Sequence, residues 1–207
     1  MIPTRQFPCL PLCSRITAAS VINLLIYLMI LSGCATTVLE IDDSLQRKAL
    51  EGNIEAQYEV GMKYHEAAYT GWGSAEYWQK AERWFEMAAG QGEARAQYYL
   101  SQYYFGRKDY RRSFELTQLA ARQGMAEAQY SLGMHYGQAW GTQQDLVLAY
   151  KWLALANDGG VKGGSLADVE WLIWKGKLTD NQITEGKRLA AEHTRIYGKS
   201  QPIKSMQ

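Results

Sequence analysis

The residues of this chain best spaced for chemistry are His65-Glu66-Ala67-Ala68-Tyr69. Two histidines four apart on a helix, with a glutamate beside the first, would bind zinc and supply a general base. Tyr69 stands where the second histidine is needed, so the segment reads as a solvated helix end rather than a metal site. No G-x-S-x-G and no P-loop pattern occurs. Gly71-Trp72-Gly73-Ser74 and Gly163-Gly164-Ser165 are ordinary loop compositions, without the neighbours a serine nucleophile or a phosphate cradle requires. The carboxylate pair Asp42-Asp43 lies in a polar stretch where burial cannot raise a pKa. The sequence therefore predicts no catalytic set, no metal and no cofactor.

The remaining reactive side chain is a thiol. Residues 1–33 combine a positive start (Arg5, Arg15), an uncharged apolar run from Ile16 to Leu31, and then Leu31-Ser32-Gly33-Cys34. This pattern resembles the signal and lipobox of bacterial lipoprotein precursors. Small residues before the cysteine suit a peptidase cleft, and the Cys34 thiol would accept a diacylglyceryl group. The apolar run is about 16 residues, short of the roughly 20 that span a bilayer as a helix. Cys34 is thus the expected lipidation site. By analogy with sorting rules, Ala35 after it points to the outer membrane, facing the periplasm. Residues 1–33 are read as the signal peptide, 34–43 as a tether, 44–197 as the folded domain and 198–207 as a flexible tail. Without Arg5 and Arg15, 20 basic residues face 21 acidic ones, and a nearly neutral chain has no general attraction for nucleic acid. Cys9 and Cys13 would leave with the signal, so no thiol remains for disulfides or redox work.

The elements that must position any site announce themselves as a repeat. Ala-Gln-Tyr occurs three times, each time four residues after a glycine: Gly52 before Ala56, Gly92 before Ala96 and Gly124 before Ala128. Gly160 is a fourth glycine in phase, and the spacings are 40, 32 and 36. Small residues recur nine after each glycine (Gly61, Ser101, Gly133), and tyrosines three further on (Tyr64, Tyr104, Tyr136). Trp84, Leu116 and Trp152 recur eight before the next glycine, and Ala88, Ala120 and Ala156 four before it. The apolar spacing follows a 3.6-residue period, and a repeat of this length means stacked two-helix units. The predicted fold class is all-α, an α/α solenoid. Its helix pairs are Ile54–Tyr69 with Ala75–Ala89, Ala94–Phe105 with Tyr110–Arg122, and Ala126–Tyr136 with Asp145–Asp158. A short helix capped at Asp43 or Ser44 precedes them. A degenerate fourth unit (Leu166–Lys175) and a last helix capped by Thr179 and Gln182 follow.

On these residues the chain resembles the Sel1-like repeat family, relatives of tetratricopeptide repeats. That resemblance implies a curved array whose first helices line a concave, protein-binding face. Repeat 2 departs from the family pattern with a loop four residues short and Ser101 for glycine. Repeat 1 departs with four extra residues around Gly71-Trp72-Gly73.

Counting from each leading glycine, offsets +4, +5, +8, +9 and +12 share one helical face and should build the core. Offsets +6, +10 and +13 lie opposite: Tyr58, Met62 and His65 in repeat 1, Tyr98, Gln102 and Phe105 in repeat 2, Tyr130 and Met134 in repeat 3. Aromatics and methionines make adaptable binding strips, although a tyrosine in every unit also suits packing between units. Trp72 adds an aromatic in the lengthened loop. Arg107, Lys108, Arg111 and Arg112 form the one dense basic patch, a surface for an acidic partner or lipid phosphates, or simply a solvated turn. The expected partners are another protein and, through the anchor, a membrane. The resemblance implies a scaffold of envelope machinery or an immunity protein against a lipase-type toxin. The alternatives it leaves are a glycan-binding module or a β-lactamase-like enzyme.

Overall fold

The computed structural model describes residues 39, 41–70, 75–161 and 177–200, all within the unit that begins at Leu39. They form eight helices: α1 (Asp43–Leu50), α2 (Ile54–Tyr69), α3 (Ala75–Gly90), α4 (Ala94–Gly106), α5 (Tyr110–Arg122), α6 (Ala126–Gln138), α7 (Leu146–Asp158) and α8 (Asp180–Tyr197). Each packs on the next in chain order, so α2–α3, α4–α5 and α6–α7 are three stacked hairpins between α1 and α8. No helix among the described residues is long and apolar enough to cross a membrane.

The recurring residues explain the stacking. Gly52, Gly92, Gly124 and Gly160 all take positive φ, between +85° and +93°. This left-handed step lets the next amide reach back: Asn53 N–H to the Lys48 carbonyl, Glu93 to Ala88, Val161 to Ala156. A side-chain cap then opens most of the following helices, from Asn53, Glu93, Asp109 and Asp145. Within the hairpins, small residues admit large ones. A Cβ on Gly61 would sit 2.8 Å from the Phe85 ring, and one on Gly133 2.7 Å from Leu153 Cγ. Ala81, Ala88, Ala120, Ala149 and Ala156 are wholly buried.

The glutamines of the repeat form a buried ladder between units. Gln57, Gln97 and Gln129 each donate Nε2 to a carbonyl eight residues back, of Ala49, Ala89 and Ala121, at 3.1–3.3 Å. Their Oε1 atoms accept from the end of their own hairpin: Gln57 from Gln91 at 2.7 Å and Gln97 from Gln123 at 2.9 Å. The corresponding position for Gln129 is Gly159, which has no side chain. Ser200 Oγ donates to Gln129 Oε1 instead. A Cβ on Gly159 would lie 2.7 Å from the Cβ atoms of both Ala126 and Ser200.

Two expectations change. Asp42, not Asp43 or Ser44, caps the first helix, its Oδ1 accepting from the Ser44 and Leu45 amides. The tail is not free from residue 198 onward, because Ser200 is buried against the third hairpin. The last helix does open on the Thr179–Gln182 capping box. The helix predicted over Leu166–Lys175 lies outside the described residues.

Candidate functional site

Where α4 and α6 lie side by side, four of the predicted groove residues meet: Gln102 and Phe105 from α4, Tyr130 and Met134 from α6. With Ser131, His135 and Trp140 they enclose a pocket of about 230 Å³. The i,i+3 and i,i+4 spacings put each pair on neighbouring turns of one helical face. None of the seven lining residues is a carboxylate, lysine or arginine.

The loop after α6 builds the back wall. Ala139 and Gly141 both take positive φ, and the turn brings Trp140 against Phe105 at 4.9 Å between ring centroids. Trp140 also stacks on Tyr110, at 6.3 Å and 19°. The Trp140 carbonyl accepts from His135 Nδ1 at 2.7 Å, which makes Nδ1 the protonated ring nitrogen. His135 Nε2 is then the acceptor from Ser113 Oγ at 3.2 Å. Burial holds the His135 pKa below its ordinary value, against the pull of the Trp140 carbonyl. This serine–histidine pair is internal: Ser113 and His135 are 1% and 2% exposed, so the hydroxyl cannot be offered to a substrate. The arrangement can hold an apolar side chain, with the Gln102 amide available at its rim.

The other predicted groove residues are placed differently. Tyr58 is 3% exposed and offers no surface, which corrects the expectation that it faces a groove. Its ring packs between units against Phe85 and Tyr99, with the Arg95 guanidinium 4.1 Å from its centroid. Burial pushes its phenol pKa far above the usual range. Tyr98 is half-buried and its hydroxyl bonds Ser131, tying α4 to α6. Met62 is half-buried against the core that contains Tyr58 and Phe85. His65 is not a solvated helix end. Its Nδ1 meets the Tyr103 hydroxyl at 2.8 Å, and rings of Tyr69, Trp78, Phe85 and Tyr99 surround it at 5.0–6.1 Å. Burial lowers its pKa. Among the described residues no cluster of His, Cys, Asp or Glu could hold a metal ion. Cys34 and Trp72 lie outside the described residues.

The basic patch is largely neutralised. Arg107 makes a two-pronged bond to Glu82 across the hairpins, at 2.5 and 2.7 Å. Arg111 pairs with Glu115 at 3.1 Å, and Arg112 with Asp109 at 3.4 Å. Lys108 stands exposed at the turn, with φ +64°. The net field is therefore much weaker than four adjacent cations suggest. Sequence reasoning missed Ser131, His135 and Trp140. Trp140-Gly141 resembles Trp72-Gly73, and that shared aromatic–glycine loop pair was the available signal.

Comparison with known proteins gives a consistent frame. The Sel1 repeat family model matches residues 54–93, 94–125 and 126–161, the three hairpins with their leading residues. A crystal structure of a Sel1 repeat protein from Oxalobacter formigenes is similar, with a TM-score of 0.53 and 32% identity, covering 61% of this chain and 95% of that one. A protective antigen present in uropathogenic Escherichia coli strains, displaying an SLR fold, is similar with a TM-score of 0.58 and 23% identity, covering 88% of this chain. The chain spans 46% of that protein's length. No curated protein matches.

Proposed function

Because the chain belongs to the Sel1-repeat family, we propose that it is a non-catalytic, lipid-anchored interaction module of a bacterial envelope. In this reading it holds a partner protein in the pocket between α4 and α6. One observation carries the proposal: Gln102, Phe105, Tyr130 and Met134, selected by repeat phase, converge on an uncharged pocket with a rigid aromatic wall. Pockets of this kind take the apolar anchor residue of a partner, and such anchors dominate binding energy. Tethering at Cys34 would keep the module at the outer membrane, facing the periplasm. A partner arriving there as a secreted lipase-type toxin would make the protein an immunity factor. A resident envelope protein would make it a scaffold.

The test is crosslinking in intact envelopes followed by identification of the captured protein and reconstitution of the pair. Gln102→Asp and Met134→Asp should weaken the reconstituted pair while the helical signal stays intact. Rescue of cells that produce the toxin in their periplasm should depend on the same two residues. A partner that binds both variants as well as wild type removes the pocket from the account.

A further inference from the structure

A second pocket, of about 460 Å³, lies between α5, α6, α7 and α8 and shares no lining residue with the first. Its volume falls in the range of small-molecule sites. We propose that it binds a small aryl oxyanion, a ring bearing a carboxylate or phosphate group, with the charge held by Arg122 and Lys151 and the ring by Tyr197, backed by the buried Trp152 and His193.

The charge distribution is the first argument. Arg122 and Lys151 both line the pocket, and no carboxylate does. The nearby acids are occupied: Glu192 accepts from Arg188 at 3.0 Å, and Asp145 caps α7 through the Leu148 amide at 2.9 Å. Lys151 is half-buried, its Nζ 4.5 Å from the centre of the Trp152 ring. Burial lowers its pKa, and the charge of Arg122 lowers it further against the opposing pull of Glu192. Two cations facing one partly desolvated space without an acid are unfavourable alone, and an oxyanion offsets that cost. Guanidinium adds a planar fork suited to carboxylate or phosphate.

The polar and aromatic walls are the second argument. Gln118 Nε2 donates to the Tyr136 hydroxyl oxygen at 3.5 Å. That leaves the hydroxyl hydrogen free to point at a ligand oxygen. Opposite, Trp152 and His193 meet edge to face at 5.2 Å, and His193 and Tyr197 lie 4.7 Å apart. Tyr197, 69% exposed, stands at the mouth. Its ring can receive a flat ligand, with the buried Trp152 and His193 forming an apolar wall behind it.

Calorimetric titration of the full chain, purified in detergent, tests the site with phenyl phosphate, benzoate, inorganic phosphate and phenol. Saturable binding of phenyl phosphate or benzoate is expected, weaker binding of inorganic phosphate, and none of phenol. Arg122→Gln and Lys151→Met should each weaken the aryl oxyanion at least ~10-fold, the loss of one charge-assisted hydrogen bond. Tyr197→Ala should weaken the aryl probes and leave inorganic phosphate unchanged. Arg122 and Tyr197 are exposed, so their variants retain the fold and decide the matter even if Lys151→Met does not. No saturable binding of either aryl oxyanion, equal affinity for phenol, equal affinity for inorganic phosphate, or unchanged binding by Arg122→Gln would each overturn the proposal. None of these outcomes bears on the α4–α6 pocket.

Discussion

Ser200 completes a hydrogen-bond ladder that the repeat leaves open at its third link, and its removal has a calculable consequence. Gln129 is fully buried, and its Nε2 is committed to the Ala121 carbonyl. In Ser200→Ala its Oε1 loses the donor that Gln91 and Gln123 provide in the earlier units. An orphaned buried acceptor costs about 1–3 kcal/mol. Gly159→Ala acts on the same contact from the other side. Its Cβ would overlap those of Ala126 and Ser200 at 2.7 Å, an overpacking cost also of about 1–3 kcal/mol. Both changes undock one segment, so their costs should not add. The double variant is expected to cost no more than the worse single variant by more than ~0.5 kcal/mol. Lys199→Ala, at an exposed neighbour, should stay within ~0.5 kcal/mol of wild type. Urea unfolding followed by far-UV circular dichroism measures all four. Full additivity, or a Ser200→Ala protein as stable as wild type, would refute the reasoning.

Three further outcomes follow from particular residues. Gly141→Ala places a Cβ 2.0 Å from the Tyr110 carbonyl oxygen at φ +72°, a clash with backbone that no rotamer relieves. It should destabilise the protein by ~3 kcal/mol, at the top of the overpacking range, and displace Trp140, visible as a changed near-UV spectrum. An unchanged spectrum and stability would mean that the loop does not rest on α5. Burial lowers the pKa of His65, His135 and His193 from 6.5, most simply at His193, where Lys151 adds to the effect. The unfolded imidazoles therefore take up protons first, so stability is complete above pH 6.5 and falls as pH drops toward the folded-state values. Urea midpoints at pH 7.5 and 5.5 read this directly, and a higher midpoint at pH 5.5 would contradict it. Cys34→Ser should move the protein from the membrane to the soluble fraction of fractionated cells, and persistent membrane association would defeat the lipoprotein reading.

The fold was legible because it repeats. A glycine that must take positive φ, a small residue that must admit Phe85 or Leu153, and a glutamine that must bond the unit before it leave marks at fixed spacing. The site was half legible. Helical phase puts Gln102, Phe105, Tyr130 and Met134 on one strip, and the fold brings all four around one pocket. Phase alone treats Tyr58 as their equivalent, but Tyr99 and Arg95 in the next unit cover it. Trp140 and Ser200 escaped for a different reason. Both belong to segments outside the periodic pattern, and only the tertiary structure brings them to α4 and to Gln129. The basic patch misled because Glu82, 25 residues from Arg107, is invisible to a local charge count.

The central claim is that the α4–α6 pocket anchors a partner. It is tested most directly by the affinity of the reconstituted pair, measured by calorimetry for wild type, Gln102→Asp and Met134→Asp. Placing a carboxylate in or at an uncharged anchor pocket should cost at least ~2 kcal/mol, about a 30-fold loss of affinity. Affinities equal within a factor of two, with all three proteins equally helical, would contradict the account.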